Sequence, residues 1–243
     1  MLIKRIHELA ERYPCFGYRQ ITTLLRQNGW PVNPKRVHRL WKQFGFQVPQ
    51  RRLRKRRRLG TSENGCVRLK AAYPNHVWSC DFLYDRTEDG RQLKIMPIVD
   101  EYTRECLAIV VGRSITARDV VRELDVLFAA RGEPGNVRSD NGPEFMAEAV
   151  KAHLRDLDVE TRYIEPGAPW QNGFIESTGS RLRDELLDRE LFTTKLEAEV
   201  LCEQYRRFYN EERPHSALDY QTPAAYAVEL KRTTTPEPAL ALT

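Results

Sequence analysis

Asn136 to Phe145 reads NVRSDNGPEF, and the reading of this stretch decides the fold of the chain around it. A short run through Val137 leads into Asp140, Asn141-Gly142 is a turn pair, and Pro143 opens a helix with Glu144 in its first turn. That order predicts a strand that ends at Asp140. A carboxylate there is held by the sheet yet left open to a ligand or a metal, although a turn-initiating Asp has the same local pattern. What separates the two readings is whether other carboxylates arrive beside it.

Upstream, Trp78, Cys80, Phe82 and Tyr84 alternate with Ser79, Asp81, Leu83 and Asp85, which predicts a strand with Asp81 in its middle. Asp89-Gly90 signals a hairpin. Leu93 to Val99 and Glu105 to Val111 read as the next two strands, the second so continuously apolar that a central position is expected. Thr116 then caps a helix carrying Val120, Val121, Leu124, Leu127 and Phe128, ended by Gly132. Downstream come a helix from Pro143 to about Leu157, a strand from Val159 to Ile164, a Gly- and Pro-rich loop EPGAPWQNG, and a helix that carries Glu176. The order β-β-β-α-β-α-β-α implies an α/β architecture, a mixed sheet flanked by helices. Arg183 follows Glu176 by about two turns and is expected on the same helix face.

The overall charge of +5 conceals an asymmetry. Residues 1–58 hold sixteen Lys and Arg against Glu8 and Glu11, a net of +14, so residues 59–243 carry −9. A basic head on an acidic body points to a polyanion, most simply nucleic acid, as partner of the head. Within the head, apolar positions predict a helix over Leu2, Ile3, Ile6, Leu9 and Ala10, and a second from Tyr18 to Asn28. Asn33-Pro34 starts a third with Val37, Leu40, Trp41 and Phe44 inward and Lys35, Arg36, Arg39 and Lys42 outward. This is the pattern of a helix-turn-helix whose last helix enters a major groove; a solvated three-helix bundle is the plainer alternative. QRRLRKRRR, with Arg51, Arg52, Arg54, Lys55, Arg56, Arg57 and Arg58, reads as an extended linker along phosphates. Residues 1–49 are therefore expected as the head, 50–65 as the linker, 66–230 as the body and 231–243 as a disordered tail.

No apolar run is long enough for a membrane span and no signal-peptide core is evident, so a cytoplasmic protein is expected. Cys15, Cys66, Cys80, Cys106 and Cys202 form no metal-binding spacing and read as reduced structural thiols. Asp81, Asp140 and Glu176 would repel one another unless cations lay between them. Oxygen donors select hard ions, and two Mg²⁺ or Mn²⁺ suit phosphodiester chemistry. Asp100 and Glu101 are expected as surface or hairpin-end carboxylates, and His215 as a helix-end hydrogen-bonding residue.

WSCDFLYD, PIVDEYTRECLAIVV, VRSDNGPEF, and PWQNGFIES followed by RLRDELL together resemble the D-D-E core of retroviral-integrase-like transposases. FYNEERPHSALDYQTPAAY is similar to the tail of bacterial insertion-sequence transposases of the IS-three family, specifically their second-reading-frame product. GYRQITTLLRQNGWPVNPKRVHRLW resembles the helix-turn-helix ahead of that core. The resemblance covers about residues 1–230. It implies an RNase H-like body, with Asp81, Asp140 and Glu176 as the metal-binding catalytic triad. It also implies cleavage at terminal inverted repeats followed by attack of the freed 3′ hydroxyl on another phosphodiester. Arg183 matches a position that contacts terminal DNA, and Asn141 and Gly142 match the turn that shapes the metal site. Trp170, in the loop, is placed either to stack on an unpaired base or to pack on the core. The resemblance further implies double-stranded DNA as partner, a homo-oligomer on DNA, and an upstream-frame protein or fusion. A non-catalytic regulator acting through the head alone is the alternative. The chain departs from the family pattern at Thr178-Gly179-Ser180, and a glycine inside the catalytic helix predicts a local weakening of about 1 kcal/mol.

Overall fold

The structure is a computed structural model that describes residues 1–48, 69–164 and 172–234. The chain divides into two compact units: Met1–Leu69 with Pro214–Tyr220, and Lys70–Arg213 with Gln221–Thr243.

In the first unit, α1 (Leu2–Arg12), α2 (Tyr18–Gln27) and α3 (Pro34–Gln43) follow the predicted helices to within a residue or two. The Asn33 side chain accepts from the Lys35 amide at 2.9 Å, so the start of α3 is capped as its sequence requires. Ile6, Leu9, Ile21, Leu24, Leu25, Val37 and Trp41 form the core, while Ile3 and Phe44, expected inward, are exposed. Pro214–Tyr220, expected within the 66–230 segment, groups with this unit. Its Pro214 carbonyl accepts from Gln20 Nε2 at 3.3 Å, and the His215 carbonyl accepts from the Leu218 and Tyr220 amides. His215 is buried.

The second unit is built on one sheet of six strands: β1 (Val77–Cys80), β2 (Leu83–Arg86), β3 (Gln92–Asp100), β4 (Cys106–Gly112), β5 (Asn136–Ser139) and β6 (Glu160–Tyr163). β3 pairs antiparallel with β1 and β2 on one side and with β4 on the other, and β1, β5 and β6 run parallel. α4 (Ala117–Arg131) and α6 (Glu148–Asp156) cover one face, where Val120, Leu124 and Leu154 meet Trp78, Cys80 and Ile98. α7 (Gly173–Leu182) and α8 (Lys195–Glu211) cover the other, where Ile175, Leu182, Cys202 and Tyr209 meet Leu93, Ile95 and Val99. α9 (Pro223–Thr234) follows, so residues 231–234 are helical rather than part of a tail; residues 235–243 lie outside the described residues.

Three expectations change. The first predicted strand is two strands, and Asp81 follows the end of β1 instead of sitting mid-strand. One register runs through both halves (Cys80 with Ile98, Leu83 with Ile95), which sets Asp81 opposite Pro97. Proline has no N–H to give to the ladder, and this is where the ladder is interrupted. Among the described residues β4 is an edge strand, bonded to β3 alone. Its continuous apolar character reports helices on both faces, not strands on both sides. Finally, the helix after Asp140 is broken at Ala147 into α5 (Pro143–Met146) and α6. In one continuous helix Phe145 would point about 140° from Val150 and about 180° from Leu154. The break resets the phase, so all three reach the same core.

Candidate active site at the carboxylate triad

The triad draws on three elements whose placement follows from the parallel pairing of β1 and β5. Ser79 faces Arg138 across that pair, and Asp81 and Asp140 come two residues further along each strand. Two residues is one repeat of the pleat, so both aspartates leave the sheet at the same edge. The Asp81 carboxylate accepts from the amide of Phe82 at 2.9 Å. The Asp140 carboxylate accepts from the amide of Gly142 at 3.0 Å, so the turn after β5 is stapled by the carboxylate itself. A Cβ on residue 142 would lie 3.0 Å from Asp140 Oδ1, which is why a glycine stands there. Asn141 Nδ2 donates to the Ile164 carbonyl at 2.8 Å and ties this turn to the end of β6.

Glu176 is exposed on α7, whose inner side carries the fully buried Ile175. The Arg104 guanidinium stacks 3.6 Å from the centre of the Phe174 ring, and the Thr178 hydroxyl sits 3.3 Å from that of Tyr209. α7 is unbroken through Gly179, where a Cβ would stand 3.2 Å from Leu83 Cδ2. The glycine expected to weaken the helix is thus the point at which helix and sheet approach most closely. Arg183 lies just past α7, at the start of a π-helical turn over Arg183–Leu187. It donates to the Tyr84 carbonyl at 3.0 Å and lies 3.6 Å from Asp188.

Burial and neighbouring charge act on Asp81. The Asp81 carboxyl is pushed up to about 6, first by burial, with the Phe82 amide opposing and the charges of Asp140 and Glu176 adding to the rise. Its two strongest charged neighbours are therefore the other two members of the predicted triad. Among the described residues, no three acidic, His or Cys side chains already stand close enough together to enclose an ion. The charges of Asp140 and Glu176 reach Asp81 without the three forming a closed cage.

Beneath this edge, on the same strands, Ser79 and Arg138 both bond the carboxylate of Glu101. Asp100 and Glu101 are fully or almost fully buried, at 0% and 1% exposure, which corrects the expectation of surface carboxylates. Asp100 accepts from the amides of Asn75, Tyr102 and Thr103, and Glu101 is satisfied by Arg138 and Ser79. Both are hairpin-end residues that knit the β3–β4 turn to its neighbours. Sequence reading missed Lys94 altogether. It is the one charge in the apolar run Leu93–Val99, only 6% exposed, and its Nζ lies 2.5 Å from Glu144 Oε1. A lone cation inside a strand otherwise fit for burial was the available signal.

Lys35, Arg36, Arg39 and Lys42 are all exposed on α3, as a groove-facing surface requires. Arg51, Arg52, Arg54, Lys55, Arg56, Arg57, Arg58 and Trp170 lie outside the described residues. Cys80, Cys106 and Cys202 are buried, with thiols pushed up to about 12, chiefly by burial. Cys15 is partly buried. Among the described residues, no helix is long and apolar enough to cross a membrane.

Two models of the integrase core domain match residues 71–169 and 157–223, and an HTH-like domain model matches residues 1–54. A protein of insertion element IS407 from Burkholderia multivorans is 38% identical over 233 residues, covering 96% of this chain and 83% of the relative. The chain belongs to the insertion-element transposases with an integrase-like core. A protein of insertion element IS476 from Xanthomonas euvesicatoria is 39% identical over 95% of the chain and 65% of its own length. The transposase for IS904 from Lactococcus lactis is 29% identical over 89% and 88%. Among solved structures, a chain of a simian T-cell lymphotropic virus intasome in complex with the PP2A regulatory subunit B56 gamma aligns with a TM-score of 0.57 at 13% identity, over 98% of this chain and 78% of that one. The HTLV-2 integrase catalytic core in complex with magnesium aligns at 0.51 and 16%, over 65% and 99%. These likenesses carry the fold: an RNase H-like mixed sheet flanked by helices, preceded by an all-helical HTH-like region. The transposase's general role is accordingly DNA transposition.

Proposed function

We propose that the transposase cuts one DNA strand at its element's terminal inverted repeats and transfers the freed 3′ hydroxyl to a second phosphodiester, using Asp81, Asp140 and Glu176 with divalent metal. The observation that carries this reading is that Asp81 and Asp140 leave adjacent parallel strands at one sheet edge, with the charges of Asp140 and Glu176 adding, after burial, to the rise at Asp81. Their donor set consists of carboxylate oxygens alone, which fits Mg²⁺ or Mn²⁺, and the repulsion they share is what bound cations relieve. The related fold of the HTLV-2 integrase core, described in complex with magnesium, supports the same ion. Two such ions, when bound, lower the pKa of an attacking water or hydroxyl and stabilise the leaving oxygen.

The protein's own contribution is position. The Asp140 carboxylate is oriented by the Gly142 amide and Asp81 by the Phe82 amide, so each enters the site with one oxygen already directed. Asn141, bonded to Ile164, holds the turn on which Asp140 sits. Glu176 stands exposed on α7, ready to complete the set from the helix side. Lys35, Arg36, Arg39 and Lys42 supply phosphate and groove contacts to double-stranded DNA, joined by the basic stretch from Arg51 to Arg58; Arg183 and Trp170 serve DNA near the catalytic edge. Two DNA ends must be held in one event, which calls for a homo-oligomer on DNA and accommodates an upstream-frame partner or fusion. The transposase works in the cytoplasm, on the nucleoid.

The test is nicking of DNA that carries the inverted repeats flanking the coding region. The full-length protein, or its fusion with the upstream frame, cleaves in Mg²⁺ or Mn²⁺, and Asp140→Ala and Glu176→Gln reduce cleavage to background while still binding the DNA. Undiminished cleavage by either variant contradicts the triad. Tight DNA binding with no cleavage by the wild-type protein under any divalent metal favours a regulator that acts through the head alone.

A further inference from the structure

We infer that Lys94 is a positioning residue for both aspartates of the proposed site, joining the turn that carries Asp81 to the turn that carries Asp140; this rests on the triad reading above. Lys94 lies on β3 opposite Tyr84, with its side chain almost fully buried. A lysine in such a place is costly unless its ammonium is held, because burial disfavours the charge. Two groups hold it. Its Nζ lies 3.8 Å from the centre of the Phe82 ring and 2.5 Å from Glu144 Oε1.

Each of those groups leads to one aspartate. Phe82 is the residue after Asp81, and its amide is the donor to the Asp81 carboxylate. Pinning the Phe82 ring fixes the peptide that aims Asp81 at the point where Pro97 leaves the ladder incomplete. Glu144 is in the first turn of α5, directly after the Asp140-Asn141-Gly142 turn. Its second oxygen and Asp140 Oδ1 both approach the bare side of Gly142, at 3.5 and 3.0 Å from where a Cβ would stand. The Phe82 ring also stacks on Phe145 of α5, with centroids 4.7 Å apart. The ammonium and the aromatic pair thus form one bridge across the sheet edge, from the Asp81 amide donor to the start of α5. Lys94 lies on the sheet face opposite the one covered by α7, so it acts on the metal site through Phe82 and Glu144.

A bridge of this kind sets the separation of two metal-binding carboxylates, and groups that orient ligands in this way change metal affinity by about tenfold or more when removed. The test measures Mn²⁺ affinity of the full chain by electron paramagnetic resonance, beside thermal unfolding and, on end DNA, kcat separately from KM. Lys94→Met keeps the length and apolar stem. It is expected to raise the Mn²⁺ Kd about tenfold and lower kcat by a similar factor, with KM for DNA unchanged. Glu144→Gln is expected to do the same, and Lys94→Met with Glu144→Gln to be no worse than either alone, because one bridge is broken in each case. Lys94→Arg, which retains a cation, restores most of the affinity. Wild-type Mn²⁺ affinity and kcat in folded Lys94→Met, or losses that add in the double variant, overturn the inference. If Lys94→Met does not fold, Glu144→Gln and Lys94→Arg decide the matter by the same readouts. Asp140→Ala separates the two claims: if it binds Mn²⁺ like wild type, the triad reading fails, and if it abolishes binding while Lys94→Met leaves binding intact, only the bridge fails.

Discussion

The two units treat charge in opposite ways. In the helical head, Lys35, Arg36, Arg39 and Lys42 stand in solvent on one helix, where their attraction to a polyanion is long-ranged and the same for every phosphate they meet. In the α/β unit the decisive charges are buried against specific partners: Glu101 with Arg138, Lys94 with Glu144, Glu185 with Arg213. In the same unit, the charges of Asp140 and Glu176 act on the partly buried Asp81 carboxylate. The head thus carries charge that suits DNA, and the body, on the proposed reading, an arrangement that a cation would relieve. Salt should weaken the first and scarcely touch the second, whereas removing a single buried partner should do the reverse.

Each variant that breaks this contrast has an expected size. The largest effect falls on Arg138→Met, which leaves Glu101 buried without its cation and is expected to cost about 3–5 kcal/mol in urea unfolding. Arg138→Met combined with Glu101→Leu should recover most of that loss, because an apolar pair has no charge to strand. Next come Lys35→Ala and Arg39→Ala, which leave stability within about 0.5 kcal/mol but each reduce the slope of log affinity for DNA against log salt by about 1. A salt slope unchanged by these variants would mean that the head does not present α3 to phosphate. The smallest effect is Gly179→Ala, where a helix gain of about 1 kcal/mol is set against crowding at Leu83, for a net change within about 1 kcal/mol. Gly179→Leu, which Leu83 has no room to accept, should destabilise by more than about 2 kcal/mol. Equal stability of the two Gly179 variants would show that helix and sheet do not meet closely there.

The head was legible because its signals are local. Asn33-Pro34 caps its own helix, and the apolar face of α3 lies within ten residues. What escaped was Pro214–Tyr220, whose attachment to the head through Gln20 joins residues 194 positions apart and leaves no trace in periodicity. In the body, most of the strand and helix order was readable, with β1 and β2 read as one strand; Asp140 was legible at the punctuated end of its strand and Glu176 on a helix after a Gly- and Pro-rich loop, whereas Asp81 was expected mid-strand and follows the end of β1. Edge or central position was not readable: β4 is apolar because two helix layers cover it, and a strand sequence does not distinguish that from flanking strands. Nor was the function of Gly179, which looks like a defect within its helix and becomes a contact only once β2 lies beneath it. Asp100, Glu101 and Lys94 were misjudged or missed for the same reason, because their partners come from Asn75, Arg138 and Glu144.

The most direct measurement needs no DNA. The claim is that Asp81, Asp140 and Glu176 share a field which a divalent cation relieves, so thermal unfolding of the full chain should be followed with and without Mg²⁺ for wild type and Asp140→Asn. Mg²⁺ is expected to raise the wild-type Tm, in proportion to RT ln(1 + [Mg²⁺]/Kd). Asp140→Asn, with one like charge removed, should be at least as stable as wild type in metal-free buffer and should show no rise with Mg²⁺. A variant that loses stability without metal yet keeps the full Mg²⁺-dependent rise would contradict the account.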